Sequence, residues 1–164
     1  MNKNSLKNIA TEVINLEIDA LRILKKSINK NFDRAVNTIV NCQSKIILCG
    51  VGKSGLIAAK IASTLSSVGS PAFSLSANDC LHGDLGSITR KDILILISNS
   101  GKSEEIIPII KFANRNKIKL IGIVSKKNSF LYKAADIKIL LPEVKESGLG
   151  IVPTSSTSIQ LAIG

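Results

Sequence analysis

Apolar residues recur at helical spacing through the first part of the chain, at Ile9, Val13, Leu16, Ala20, Ile23 and Leu24. After a polar break at residues 29–31 they resume at Phe32, Val36, Ile39 and Val40. This spacing predicts two helices, or one bent helix, over residues 5–41. From Lys45 the pattern changes to short β-branched runs that alternate with helical segments. It predicts strands at 46–49, 71–76, 92–97, 119–124 and 137–141, and helices at 54–68, 103–115 and 129–134. Strands that are apolar throughout and separated by helices are buried on both faces, so the fold class is α/β, a doubly wound five-stranded parallel sheet in a three-layer αβα sandwich. The irregular stretch PEVKESGLGIVP leads into a last helix, starting near Thr154 and still running at Gly164. A helix ending in mid-pattern leaves Ile159, Leu161 and Ile163 only partly supported, so the chain is expected to be a shortened one.

At 164 residues and 45% hydrophobic content the chain suits one compact domain. The division expected is a helical segment over residues 1–42 and a ligand-binding domain over 43–164. No apolar stretch reaches the length of a membrane span, and the N-terminus lacks the apolar run of a signal peptide, so the expected location is the cytoplasm. The three cysteines, Cys42, Cys49 and Cys80, have neither CxxC spacing nor a nearby histidine pair. They read as reduced thiols, with no disulfide framework and no metal site. The formal charge of +10, from 22 basic against 12 acidic side chains, would suit an anionic partner. The lysines are scattered and only 3% of residues are aromatic, which argues against a nucleic-acid platform.

Two predicted strands and a late segment run into small, hydroxyl-rich turns: Gly50-Val51-Gly52-Lys53-Ser54-Gly55, Ser98-Asn99-Ser100-Gly101-Lys102-Ser103, and Pro153-Thr154-Ser155-Ser156-Thr157. In a parallel sheet such turns lie at the carboxyl edge, where amides and hydroxyls can surround a phosphate. The first turn also fits a dinucleotide fingerprint, with Asp79 where a ribose-binding acid is sought, but that use leaves Lys53 and Ser54 unexplained. In the second, Ser98, Ser100 and Ser103 converge on a helix start, either as a phosphate cradle or, for Ser103, as an ordinary cap. His82, the only histidine, stands in the polar turn Leu81-His82-Gly83-Asp84-Leu85-Gly86. A side chain titrating near neutrality suits proton transfer, and a plain surface histidine is as good a reading. Glu146, just before the third turn, reads by itself as a solvated charge.

Taken together, GVGKSG, HGDLG, SNSGKSEEI and KESGLGIVPTSST, in this order over about residues 45–160, closely resemble the sugar isomerase (SIS) family, and within it the arabinose-5-phosphate isomerases. The resemblance implies a flavodoxin-like domain, usually tetrameric, that interconverts D-ribulose 5-phosphate and D-arabinose 5-phosphate without a cofactor, for Kdo and lipopolysaccharide synthesis. It puts Lys53, His82, Glu105 and Glu146 at the family's catalytic positions. Ser54, Ser98, Ser100, Ser103, Thr154, Ser155, Ser156 and Thr157 would hold the phosphate. The chemistry implied is proton removal beside the carbonyl, through an enediol, by Glu146 or His82; Lys53 would stabilise the oxyanion and Glu105 would be an orienting or acid–base partner. Counted from the glutamate, ESGLGIVPTSST is one residue shorter than the family's EACPLGLAPTSST and lacks its Cys-Pro pair. A phosphosugar-sensing module without catalysis, as SIS domains serve in some regulators, is the alternative.

Overall fold

The computed structural model describes residues 3–148 and 150–164, with only the backbone of residues 3 and 4. Met1 and Asn2 of the expected helical segment, and Leu149 of the irregular stretch, lie outside the described residues. Two helices open the chain, α1 (Lys3–Ser27) and α2 (Lys30–Val40). The break between them is fixed by Asn29, whose side chain accepts from the Asn31 amide at 2.9 Å and caps α2.

Then follow β1 (Ile46–Gly50), α3 (Lys53–Ser67), β2 (Ala72–Ser76), α4 (Ala77–Cys80) and a 3-10 turn at Asp84–Ser87. The second half comprises β3 (Ile93–Ile97), α5 (Ile106–Arg115), β4 (Lys119–Val124), α6 (Phe130–Ala134), β5 (Ile137–Leu140) and α7 (Ser155–Ile163). All strand pairs are parallel, in the order β2-β1-β3-β4-β5. This is the flavodoxin-like order, in which the strand order reverses between β1 and β3 and opens a crevice at their carboxyl ends.

Alternation along each strand divides the core into two layers. Ile46, Leu48, Ile93, Ile95, Ile97, Ile121 and Ile123 face α1, α2, α3 and α7. Ile47, Cys49, Leu94, Leu96, Leu120 and Val124 face α4, α5 and α6. The close fit of β1 to α3 depends on two glycines. A Cβ on Gly50 would meet the Ser54 carbonyl carbon at 2.7 Å, and one on Gly55 would meet the Gly50 oxygen at 2.8 Å.

At the amino edge of the sheet, the fully buried Asp92 side chain accepts from Ser44 Oγ (2.6 Å), Lys45 Nζ (2.8 Å), Thr89 N (2.6 Å) and Thr89 Oγ1 (2.9 Å). It bolts the start of β3 to the start of β1, at the end of the sheet opposite the hydroxyl-rich turns.

Two expectations are revised. The helix expected from residue 103 begins at Ile106, and residues 103–105 form a turn in which the Ile106 amide donates to the Ser103 carbonyl at 3.2 Å. Pro108 explains the shift: with the start at Ile106 its missing N–H falls in the first turn, where no partner is needed, whereas an earlier start would cost a helix hydrogen bond. The apolar stripe of α1 is also less buried than its period suggests. Ala20 and Leu24 enter the core, whereas Ile9 is 53% and Ile23 46% exposed.

Candidate functional site

The third turn is built around one carboxylate. Glu146 Oε2 accepts from Thr154 N at 2.7 Å, from Thr154 Oγ1 at 3.0 Å and from Ser156 N at 3.2 Å. Thr154 is the cap residue of α7 but makes no side-chain cap of its own, so Glu146 supplies the anion that the free amides of the first turn attract. Thr154 Oγ1 in turn accepts from Ser147 N (2.9 Å) and Ser147 Oγ (3.1 Å), which folds the irregular stretch back onto the helix. Partial burial pushes the Glu146 carboxyl up. The hydroxyls and amides of Ser156 and Thr154 outweigh that and hold it below the usual glutamate range.

Beside this carboxylate, Ser155 is fully buried and its Oγ has no hydrogen-bond partner among the described residues. A buried hydroxyl left unpaired costs free energy unless something completes it. Thr157 Oγ1 donates to the Thr154 carbonyl at 2.6 Å, closing the turn.

The other two turns approach α7 from either side. Ser54, at the start of α3, donates through Oγ to Oε1 of the buried Gln160 at 3.0 Å. From the second turn, Asn99 lines a cavity of about 140 Å³ together with Ser125, Lys126, Glu143, Glu146 and Ser156. Ser125 Oγ donates to Asn99 Oδ1 at 2.6 Å and its amide to the Asn99 carbonyl at 3.1 Å, so the residue after β4 holds the turn in place. Next to that cavity a wider groove is lined by Ser100, Lys102, Lys126 and Lys127, and Lys126 pairs with Glu143 across its edge.

Within the second turn the buried Ser98 Oγ accepts from the Gly101 amide at 3.0 Å, and Ser100 Oγ from the Lys102 amide at 3.3 Å. Gly101 has φ +63° and packs directly against the Ser129 side chain, so the bend needs a residue without Cβ. Ser103 and Glu105 are half-buried in the turn that enters α5.

Of the residues singled out in the sequence, the structure therefore brings Glu146, Thr154, Ser155, Ser156 and Thr157 into one turn. It sets the Asn99 flank of the Ser98–Ser103 loop against that turn, and ties Ser54 to the same helix. Lys53, the first residue of α3, and His82, in the turn after α4, are solvent-exposed. No hydrogen bond among the described residues joins Lys53, His82 or Glu105 to Glu146, and neither the groove lined by Ser100 nor the cavity lined by Glu146 and Ser156 includes Ser54 or Thr154. Asn99, Ser125 and Gln160 were missed. Gln160 had a readable signal, as an amide among the apolar residues of α7, and Asn99 sits in a loop read only for its serines.

A separate hollow of about 290 Å³, walled by Phe32, Ile61, Ile123 and Ile163, is apolar and lies away from these groups. Among the described residues no helix is long and apolar enough to cross a membrane, and no group of three or more side chains is arranged to hold a metal ion.

Known proteins are similar to this chain in sequence and fold. The chain is 43% identical over 154 residues to the arabinose 5-phosphate isomerase KdsD of Yersinia pestis, a match covering 93% of this chain and 47% of the relative. It is 40% identical over its whole length to the protein RP505 of Rickettsia prowazekii, covering 51% of it. The chain thus spans about half the length of these curated relatives. The solved structure of a protein of E. coli CFT073, in complex with a sugar-phosphate ligand, superposes with a TM-score of 0.95 at 32% identity, covering 99% of this chain and 87% of the other. The sequence model of the SIS domain matches residues 39–164, from the end of α2 to the end of α7. With the flavodoxin-like strand order and the three hydroxyl-rich turns inside that match, the chain belongs to the SIS domain family.

Proposed function

We propose that residues 43–164 form a phosphosugar-binding domain, layered by the helical segment 1–42, and that the protein is an aldose–ketose isomerase interconverting D-ribulose 5-phosphate and D-arabinose 5-phosphate in the supply of Kdo for lipopolysaccharide. The observation that carries this reading is the Glu146 carboxylate seated on the amides of Thr154 and Ser156 beside the unpaired Ser155 hydroxyl. That seat accepts an anion, and the relatives include KdsD and a protein solved with a sugar phosphate.

In this mechanism the sugar phosphate enters between the second and third turns. Its phosphate takes the amides and hydroxyls of Thr154, Ser155, Ser156 and Thr157, with Ser54, Ser98, Ser100 and Ser103 around it. Glu146, displaced from the α7 amides, turns to the sugar and removes the proton beside the carbonyl, with His82 as the alternative base. Loss of the charged hydrogen bonds raises its proton affinity, which is what a base needs. Lys53 stabilises the enediolate oxygen and Glu105 orients or exchanges a proton at the neighbouring hydroxyl. No cofactor is required, because the proton removed from one carbon is returned to the next.

The assembly proposed is a homotetramer in the cytoplasm. The exposed apolar positions of α1, among them Leu6, Ile9, Ile14 and Ile23, support self-association. The test is conversion of ribulose 5-phosphate to arabinose 5-phosphate by the protein and by Glu146→Gln and Lys53→Ala. Activity lost in both variants is the expected result. Equal activity in all three would remove these groups from the chemistry. Phosphosugar binding without turnover by the unaltered protein would leave the sensing module as the function.

A further inference from the structure

Lys126 stands on a wall shared by two hollows. The cavity of about 140 Å³ beside Glu146 and the groove next to it, of about 640 Å³, are both lined by Ser125, Lys126, Pro142 and Glu143. The groove adds Lys102 and Lys127, so three ammonium groups are gathered there with one carboxylate, that of Glu143. Lys126 pairs with Glu143, whereas Lys102 and Lys127 make no ion pair among the described residues. Cations that line a concavity unneutralised attract an anion, and the apolar wall of Leu140, Leu141 and Pro142 strengthens the field by keeping water off one side.

The backbone fixes where these lysines start. Ser125 follows β4 and donates its amide to the Asn99 carbonyl at 3.1 Å, and the Ser129 amide donates to the Lys126 carbonyl at 3.1 Å, closing the turn that bears Lys126 and Lys127. The Leu131 amide donates to the carbonyl of Gly101, the residue before Lys102, at 3.1 Å, and the Leu141 amide to the Val124 carbonyl at 2.9 Å. The loops at the carboxyl ends of β3, β4 and β5 are thus tied to one another. An anion arriving in the groove has only side chains to order, which keeps the cost of binding low. None of the three lysines has a part in the chemistry proposed above.

We propose that this groove is a second anion subsite, and that the site as a whole takes phosphosugars carrying two phosphates, one on the head of α7 and the other among Lys102, Lys126 and Lys127. The inference rests on the phosphate seat proposed for Thr154, Ser155 and Ser156. The shared wall makes the two places parts of one elongated site, so a single sugar chain can run from one to the other past Lys126. The second phosphate takes Lys126 from Glu143, whose exposed carboxylate stays in solvent. An exposed ion pair is weak, so this exchange costs little. A sugar with one phosphate reaches the seat and gains nothing from the groove.

The experiment compares arabitol 5-phosphate with arabitol 1,5-bisphosphate by titration calorimetry on the full chain. Neither compound has a carbonyl, so turnover does not enter. The bisphosphate is expected to bind about tenfold more tightly. The double variant Lys102→Gln/Lys127→Gln should narrow that gap to about threefold or less, with the monophosphate unchanged within about twofold. Lys25→Gln/Lys26→Gln, which removes the same charge from the exposed end of α1, should keep the full gap. Equal affinity for the two compounds in the unaltered protein would overturn the proposal, as would a gap that both double variants narrow alike. The seat is tested separately by Glu146→Ala. Monophosphate binding that responds to Glu146→Ala, with no gain that depends on Lys102 and Lys127, removes the groove alone. Monophosphate binding indifferent to Glu146→Ala, or no binding of either compound, removes the seat and the groove with it.

Discussion

Replacing Glu146 by Ala should tighten the binding of inorganic phosphate while abolishing turnover. The carboxylate makes three short contacts with the head of α7, at 2.7, 3.0 and 3.2 Å. Hydrogen bonds to a charged group contribute about 1.5–3 kcal/mol where a neutral one gives about 0.5–1.5. The helix dipole adds about 0.3–1 kcal/mol. Glu146 is partly open to solvent, which discounts these terms, and a net of about 1.5 kcal/mol is reasonable. A phosphate that must displace this carboxylate binds about tenfold more weakly than it would to an empty seat, since about 1.4 kcal/mol is a factor of ten. Titration calorimetry with inorganic phosphate at pH 8 should therefore give a Kd about tenfold lower for Glu146→Ala. Glu146→Gln, which keeps one acceptor oxygen, should fall between. The same substitutions should lower Tm by about 3–6 °C and the isomerisation rate by roughly 10²–10⁴. Phosphate binding that is equal or weaker in Glu146→Ala would mean that the head of α7 is not where phosphate sits.

Asp92→Asn should cost about 3–5 kcal/mol in urea unfolding, because it leaves Lys45 unpaired beside a buried neutral group. Burial pushes the Asp92 carboxyl up, but Lys45, Ser44 and Thr89 override it and hold the group far below the usual aspartate range. A depressed carboxyl stabilises the fold above the unfolded-state value of about 3.9 and loses that contribution as pH falls. Acid titration of the wild type should accordingly show a loss of stability below about pH 4 that is smaller in Asp92→Asn. Gly55→Ala, with its new Cβ 2.8 Å from the Gly50 carbonyl oxygen, should destabilise by about 1–3 kcal/mol in the same assay. Lys53→Ala should reduce kcat by about 10² or more with Tm unchanged within about 2 °C, since Lys53 is exposed; a rate within twofold of wild type would exclude it as the oxyanion partner.

The central strands β1, β3 and β4 were legible because Ile, Leu and Val dominate each of them, a pattern that suits a sheet covered on both faces, whereas the edge strand β2 (AFSLS) is only partly buried. The start of α5 was less so. SEEIIPII carries a helical period from Ser103 onward, and the deciding constraint is Pro108, which belongs to covalent geometry and not to periodicity. For α1 the period is real but says only that a face prefers to be covered. Ile14 and Ile18 face solvent in one chain, and neither their identity nor their spacing says which molecule covers them. Glu146 was the hardest to read. Nothing in KESGLGIVPTSST marks a carboxylate that folds back over eight residues to cap a helix, because the loop between has no repeating geometry.

The two anchored carboxylates also differ in how firmly they are held, and on the proposed mechanism that difference leaves one end of the sheet structural and the other free to react. Asp92 is held by a lysine as well as by hydroxyls and an amide, and its side chain is wholly enclosed, so removing it from its partners would strand a charge in a dry place. Glu146 is held only by neutral amides and hydroxyls, at a cavity mouth. A phosphate dianion can replace it there without leaving any group unpaired, while the displaced carboxylate regains solvent or meets the sugar. A similar set of hydrogen bonds thus gives a permanent bolt in one place and an exchangeable occupant in the other, and the difference lies in the counter-cation and the exposure.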